Sequence, residues 1–303
     1  MPAAPIGTDP REAADRLAAG QLVALPTETV YGLGANALDP AAVARIFTAK
    51  NRPSFDPLII HQSSVARIFA YADGVGELAT TLADAFWPGP LTLVVHKHER
   101  VPDLVTSGLD TVALRVPALE RCREVLEYVD FPVAAPSANP FGYVSPVTAR
   151  HVADQLGDRV DYILDGGRCV VGLESTIVRV TDETPLLLRR GGTPAEAIEA
   201  VLGRSLPAQT HSSSRPAAPG MLSRHYSPGV RLTLLDPDAP TPEVSGRERY
   251  VQLPRELDRA AHELFTVLRS LDPAHLDHAY VRLVPEIGLG RAINDRLRRA
   301  AAR

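Results

Sequence analysis

Cysteine is almost absent. The 303 residues contain two, Cys122 and Cys169, too few for a disulfide framework and too isolated for a cysteine-based metal site. A reducing compartment is the simplest setting, so the chain is expected in the cytoplasm. Long apolar runs are missing as well. The longest, such as LTLVV at 91–95, are strand-sized and far below the roughly 20 residues that span a bilayer. The opening MPAAPIGTDP has no basic stretch followed by an apolar one, so neither a secretory signal nor a membrane partner is expected. There is no excess of basic charge. A net charge of -4 argues against bulk binding to nucleic acid or anionic lipid, leaving room only for a local basic patch. Missing motifs narrow the chemistry further. The sequence has no GxxxxGK(S/T), no GxGxxG after a strand, no HExxH, no paired CxxC and no GxSxG. Those absences exclude a P-loop, a dinucleotide fingerprint, a readable zinc site and a nucleophile elbow.

What is present is a regular alternation of strand and helix signals. Asp9, Pro10 and Glu12 open a helix that Gly20 ends, and Asp39-Pro40 opens a second one carrying Val43, Ile46 and Phe47 on one face. Strands are expected at QLVALP (21–26), PLIIH (57–61), LTLVVH (91–96), TVALRV (111–116), PVAA (132–135), YILD (162–165), STIVRV (175–180) and PLLLR (185–189). Helices are expected near 63–72, 75–86 and 118–128, from Ser145-Pro146 to Leu156, and from Thr193-Pro194 to Leu202. The class is α/β. Because 175–180 and 185–189 follow one another without a helix, the sheet is expected to be mixed. Composition shifts to Ser, Pro and Gly at 204–229, which predicts a linker or a functional lid. The organisation is therefore a first domain at 1–203, the linker, and a small α/β domain at 230–303.

Polar clusters sit where strands meet loops, the usual place for a ligand crevice. PTETVYG (26–32) supplies two threonines and a glutamate, or simply a polar turn. In KNRPSFDPLIIH (50–61), Lys50 and Arg52 suit a polyphosphate, or equally a helix C-terminus, while His61 ends an apolar strand where a satisfied core histidine would also sit. PSANPFGYVSP (136–146) offers Ser137, Asn139 and Ser145 among small residues, with Ser145 also placed to cap a helix. GLESTIV (172–178) and LLLRRGG (186–192) put Ser175 and Arg189 at strand ends. Arg115, inside an apolar strand, needs an anionic partner if buried. That partner is either an internal carboxylate or a ligand's.

Taken in order, PTETVYG, KxR with PLIIH, SAN, EST and RRGG resemble the YrdC-like family over essentially the whole chain. The linker PGMLSRHYSP and the small C-terminal domain resemble its longer two-domain members, the threonylcarbamoyl-AMP synthases. The resemblance implies a twisted mixed sheet with helices on its faces and a small Rossmann-like C-terminal domain. It implies a nucleotidyltransferase that joins L-threonine, bicarbonate or CO2, and ATP with release of pyrophosphate. Mg2+ would arrive with ATP, and downstream threonylcarbamoyl-transfer proteins would act on the adenosine next to the anticodon of tRNA. Direct tRNA binding is left open.

By position in the motifs, Thr29, His61, Arg115, Ala135 and Ser175 are implied for threonine. Lys50, Arg52, Asp56, Thr111, Ser137, Asn139, Ser145, Arg189 and Tyr226 are implied for ATP, with Lys50 and Arg52 as the catalytic cations. No protein-held metal is implied. Arg224, His225 and Tyr226 are expected to fold over the nucleotide. The chain departs from the family pattern at Asn51, where glycine is common, at Arg190, where proline is common, and at Asp56, where asparagine is common. Two alternatives remain: a carbamoyl-adenylate former of the hydrogenase-maturation type, which the lack of CxxC pairs disfavours, and an RNA-binding module. For the latter, the basic run RLRRAAAR at the C-terminus is read as a solvated helix face.

Overall fold

Helices begin where short polar side chains meet proline. Asp9 accepts from the Arg11 N–H and Asp39 from the Ala41 N–H, both at 2.9 Å, with Pro10 and Pro40 in the first turns. Caps of this kind contribute about 1 kcal/mol each. They open α1 (Pro10–Ala18) and α2 (Pro40–Lys50) in a computed structural model that describes residues 4–210, 216–221 and 225–302. The rest of the first unit comprises β1 (Ile6–Gly7), β2 (Val23–Leu25), β3 (Gly32–Asn36), β4 (Ile59–His61), α3 (Val65–Phe69), α4 (Glu77–Phe86), β5 (Leu91–His96), α5 (Asp103–Thr106), β6 (Thr111–Arg115), α6 (Glu120–Tyr128), β7 (Val133–Ala134), α7 (Ala149–Leu156), β8 (Tyr162–Leu164), β9 (Thr176–Arg179), β10 (Leu186–Arg189) and α8 (Ala195–Leu202).

These strands form one sheet in the order β1-β8-β2-β3-β7-β4-β6-β5-β9-β10. It is mixed. Four adjacent pairs are parallel (β1/β8, β2/β8, β4/β6 and β5/β9) and the other five are antiparallel. Every residue of β2, β4 and β8 is buried, which is why those strands read as unbroken apolar runs. One core gathers Ala13, Ala14 and Leu17 of α1 with Cys122, Val125 and Leu126 of α6 against β2 and β8.

The second unit contains β11 (Arg231–Leu235), β12 (Glu248–Val251), α9 (Leu257–Arg269), β13 (His278–Arg282) and α10 (Leu289–Ala301). Its three strands are all parallel, in the order β11-β13-β12, a small Rossmann-like arrangement. The two units share a core. The larger apolar cluster runs from Ile46 and Phe47 of α2 through Tyr226 to Ala261, Leu264 and Phe265 of α9.

Four sequence expectations need correction. The strand β3, GLGAN, was not foreseen because its glycines carry no apolar signal; a Cβ on Gly34 would meet the Leu25 and Val133 side chains at 3.1 Å. The helix expected from Ser145 starts at Ala149, where Thr148 accepts from the His151 N–H at 3.2 Å. The described parts of the linker are not free of structure. Leu187 N–H donates to Pro207 O at 2.8 Å, Gln209 N–H donates to Leu187 O at 2.9 Å, and Ser227 pairs with Tyr143. Within the C-terminal basic run, Arg296 and Arg299 are buried at 1% and 3% exposure, so that helix face is not solvated. No helix among the described residues is long and apolar enough to cross a membrane.

Candidate active site

The strand ends converge on one cavity. Its wall contains Thr29, Arg52, His61, Arg115, Ala135, Ser137, Ser175, Arg189 and Tyr226 from the sequence-derived set, together with Glu174, Pro219, Gly220 and His225. The turn after β2 is shaped by Thr27, whose hydroxyl accepts from the Thr29 and Val30 N–H groups and donates to Val30 O at 2.6 Å. That turn presents Thr29, whose hydroxyl lies 2.7 Å from that of Thr27.

Parallel pairing of β4 and β6 sets His61 beside Arg115. Burial, and then the Arg115 charge, push the His61 imidazole down to about 3, so it is neutral at physiological pH. Its Nδ1 is buried without a hydrogen-bond partner among the described residues. Arg115 donates to Glu28 Oε1 at 2.6 Å and to Gly89 O at 3.2 Å, while Glu28 Oε2 accepts from the Ala118 N–H. The anionic partner left open by the sequence is therefore an internal carboxylate, Glu28.

At the other end of the cavity, Arg189 donates to Ser175 through Nε to the carbonyl and Nη2 to the hydroxyl, both at 3.0 Å, and through Nη1 to Pro219 O at 3.2 Å. The Ser175 hydroxyl also lies 2.7 Å from that of Thr92. Arg52 donates to Asp56 O and Pro57 O and pairs with Asp56 Oδ2 at 3.0 Å. Burial raises the Asp56 carboxyl above its ordinary range, and Arg52 opposes that shift most strongly.

Five residues of the sequence-derived set lie off the cavity wall. Lys50 is turned away from it. Its ammonium is buried and donates to the carbonyls of Ser137 and Asn139, so it braces the SAN loop. Burial, and then repulsion from Arg52, hold its pKa well below the usual lysine range. Asn139 donates to Pro140 O and Tyr143 O within the same loop. Ser145 donates to Glu174 Oε1 at 2.6 Å. Asp56 sits behind Arg52. Thr111 opens β6 and shares the sheet face of Ala113 and Arg115, four residues from the cavity. The linker's Ala218 and Met221 join Ile59, Val94, Ala113, Ile177 and Leu188 in one apolar cluster. Arg224 lies outside the described residues, whereas His225, half-buried, and Tyr226, buried, sit against the site. Burial pushes His225 down to about 3 and Tyr226 up to about 12.

The sequence reading did not assign Glu28 or Glu174. Both stood inside quoted motifs, but a carboxylate is recognisable as a site residue only once its partner is known. Arg115 lies 87 positions from Glu28, and Arg296 lies 122 positions from Glu174. Among the described residues, no group of three or more His, Cys, Asp or Glu side chains could hold a metal ion.

Comparison with known proteins agrees with this fold. Residues 15–191 match the Sua5/YciO/YrdC family model, described as telomere recombination, and residues 193–302 match the model for the threonylcarbamoyl-AMP synthase C-terminal domain. The chain is 42% identical to the threonylcarbamoyl-AMP synthase of Pyrococcus abyssi, over 96% of this chain and 93% of that protein. It is 37% identical to the Bacillus subtilis protein of the same name, over 96% and 92%. The crystal structure of P. abyssi Sua5 complexed with L-threonine superposes with a TM-score of 0.90 at 40% identity, covering 96% of this chain and 94% of that one. With both family models matched in tandem and near-complete coverage of full-length relatives, the chain belongs to the Sua5/YciO/YrdC family, in its two-domain form.

Proposed function

We propose that this chain synthesises L-threonylcarbamoyl-AMP from L-threonine, bicarbonate or CO2, and MgATP, releasing pyrophosphate. The observation that carries this reading is a single cavity with two unlike ends. One end holds Thr29, the neutral His61 and a single guanidinium, Arg115, paired with Glu28. The other holds two guanidinium groups, Arg52, paired with Asp56, and Arg189. An amino acid suits the first end. Its carboxylate finds a guanidinium in Arg115, and the unpartnered His61 Nδ1 offers a hydrogen bond to its polar groups. With its pKa near 3, His61 positions substrate and is a poor general base. The polyphosphate suits the second end.

The chemistry fits such a site. The threonine amine adds to CO2 and loses a proton, giving a carbamate. A carbamate oxygen then attacks the α-phosphorus, the bond from that phosphorus to the bridging oxygen breaks, and pyrophosphate leaves with its Mg2+. Positioning and charge neutralisation supply most of what these steps need. The Mg2+ enters as part of the substrate, held by phosphates and water. The nearby carboxylates Asp56, Glu28 and Glu174 are each committed to an arginine.

The cavity has a volume of about 50 Å³, room for a few waters and not for a nucleotide. Pro219, Gly220, His225 and Tyr226 form its linker side, so this part of the linker would cover bound ATP. The product would pass to the transfer proteins that modify tRNA, in the cytoplasm. Pyrophosphate release from MgATP, measured with threonine and bicarbonate and with each omitted, tests the reading. Release that needs both supports it. Release driven by carbamoyl phosphate would assign carbamoyl-adenylate chemistry instead.

A further inference from the structure

The second unit reaches into the cavity wall through α10. Glu174, a wall residue, accepts from Ser145 on Oε1 and from Arg296 Nε on Oε2 at 3.0 Å. Arg296 Nη1 donates to Asp295 Oδ2 at 2.8 Å, and the same oxygen accepts from Arg299 Nε at 3.0 Å. Arg299 touches the linker at two points. Its Nη2 donates to Thr210 O at 2.9 Å, and its own carbonyl accepts from the His225 N–H at 3.5 Å. The Arg296 guanidinium also lies over the Tyr226 ring, 5.4 Å from its centroid, and Tyr226 stacks on Phe265 of α9 at 5.5 Å. All four charged groups are less than one-tenth exposed.

Adhesion between two units does not call for this arrangement. Apolar residues of the same volume stabilise an interface as well or better than buried ion pairs, whose desolvation offsets their attraction. The network ends on a carboxylate in the wall of a cavity that receives a polyanion. We propose that Arg296 is a positioning residue for the nucleotide side of the site. From the C-terminal unit it neutralises Glu174 and, with Asp295, Arg299 and Tyr226, holds the linker against the cavity. The proposal rests on the ATP-using function given above.

The groups facing Glu174 are Arg296 from α10, Arg189 from β10, the Ser145 hydroxyl, and His225 and Tyr226 from the linker. Burial pushes the Glu174 carboxyl up, but Arg296 first, then Arg189 and Ser145, outweigh it and bring the group to about 2. Without Arg296 the carboxyl moves upward. It repels triphosphate while ionised and stops doing so once protonated.

The test uses the full chain as wild type, Arg296→Met, Arg296→Lys, and the double variant Glu174→Gln/Arg296→Met. KM for ATP and for threonine are measured separately from pH 5.5 to 8.5, alongside the thermal midpoint. Arg296→Met is expected to raise KM for ATP about tenfold at pH 8, with the loss shrinking as pH falls, while KM for threonine stays within about twofold. The double variant should recover most of the loss and show no pH dependence. Arg296→Lys keeps the charge but cannot bridge Glu174 and Asp295, and should fall between. A purely structural role would lower the thermal midpoint of both methionine variants and leave KM for ATP at its wild-type value and pH profile, which overturns the proposal. If Arg296→Met does not fold, an unchanged KM for ATP in Arg296→Lys overturns it. Wild type that releases no pyrophosphate with threonine and bicarbonate would instead overturn the function on which the proposal rests.

Discussion

Asp56 shows how much a residue's role depends on a partner that the sequence does not reveal. Beside a triphosphate a carboxylate is repulsive, yet here one oxygen is paired with Arg52 at 3.0 Å and the other has no partner among the described residues. Asparagine keeps an oxygen for Arg52 and removes the charge. Asp56→Asn is therefore expected to leave KM for ATP unchanged or lower it, and to cost about 1–3 kcal/mol of stability in a urea titration. A tenfold rise in KM would show that the carboxylate itself is needed. The same limit explains Lys50. Lys50 and Arg52 stand one residue apart and read alike, but between them Asn51 adopts the left-handed conformation, with φ 50° and ψ 41°. The turn separates the two cations, sending Arg52 to the cavity and Lys50 to the carbonyls of the SAN loop. Thr29, His61 and Ser175, implied by the family resemblance, all lie on the cavity wall. Lys50 and Arg52 could not be told apart, because the left-handed turn at Asn51 that sends Arg52 elsewhere leaves no mark in the sequence.

At the scale of elements, two positions test how the site is framed. Asn51 ends α2, where the left-handed region costs a residue with a Cβ about 1–2 kcal/mol and asparagine bears it better than most. The departure from glycine at this position is thus conservative in backbone terms. Asn51→Gly should hold or slightly raise the thermal midpoint, and Asn51→Ala should lower stability by about 1 kcal/mol; equal midpoints for the two variants would contradict the assignment. Gly191 follows β10 and packs on the segment before β9. A Cβ there would lie 2.3 Å from Glu174 O and 2.5 Å from Ser175 O, both backbone atoms. Gly191→Ala must therefore displace the backbone that carries Glu174 and Ser175. Both KM values should rise, and stability should drop by about 1–3 kcal/mol; wild-type kinetics would mean that the strands yield without moving the site. Helices α1 and α2 were legible from their Asp-Pro caps. The Ser145-Pro146 pair carries the same local signal, but the hydroxyl is used by Glu174, a contact made only in three dimensions.

At the scale of the whole molecule, the alternation of strands and helices revealed the class, and the shift to Ser, Pro and Gly marked the linker. The integration of the two units was hidden. A linker without apolar periodicity still buries Ala218, Met221 and Tyr226, and a basic helix end buries Arg296 and Arg299. One consequence involves both the β4 strand and the linker. His61 and His225 are each held near 3 by burial, and His151 near 4, against about 6.5 in an unfolded chain. Below pH 6.5 the unfolded chain therefore takes up three protons that the native protein refuses. Stability is fully present above pH 6.5 and is lost as pH falls toward 4, with a limiting slope of about 4 kcal/mol per pH unit once all three histidines are protonated in the unfolded chain. Glu174, held near 2, extends the loss below its unfolded value of about 4.5. Urea midpoints at pH 7, 6, 5 and 4.5 check the slope. His225→Asn removes one of the three titrating groups and should cut it by about a third between pH 6 and 4.5, whereas midpoints independent of pH in that range would show that the imidazoles are not held neutral by the fold.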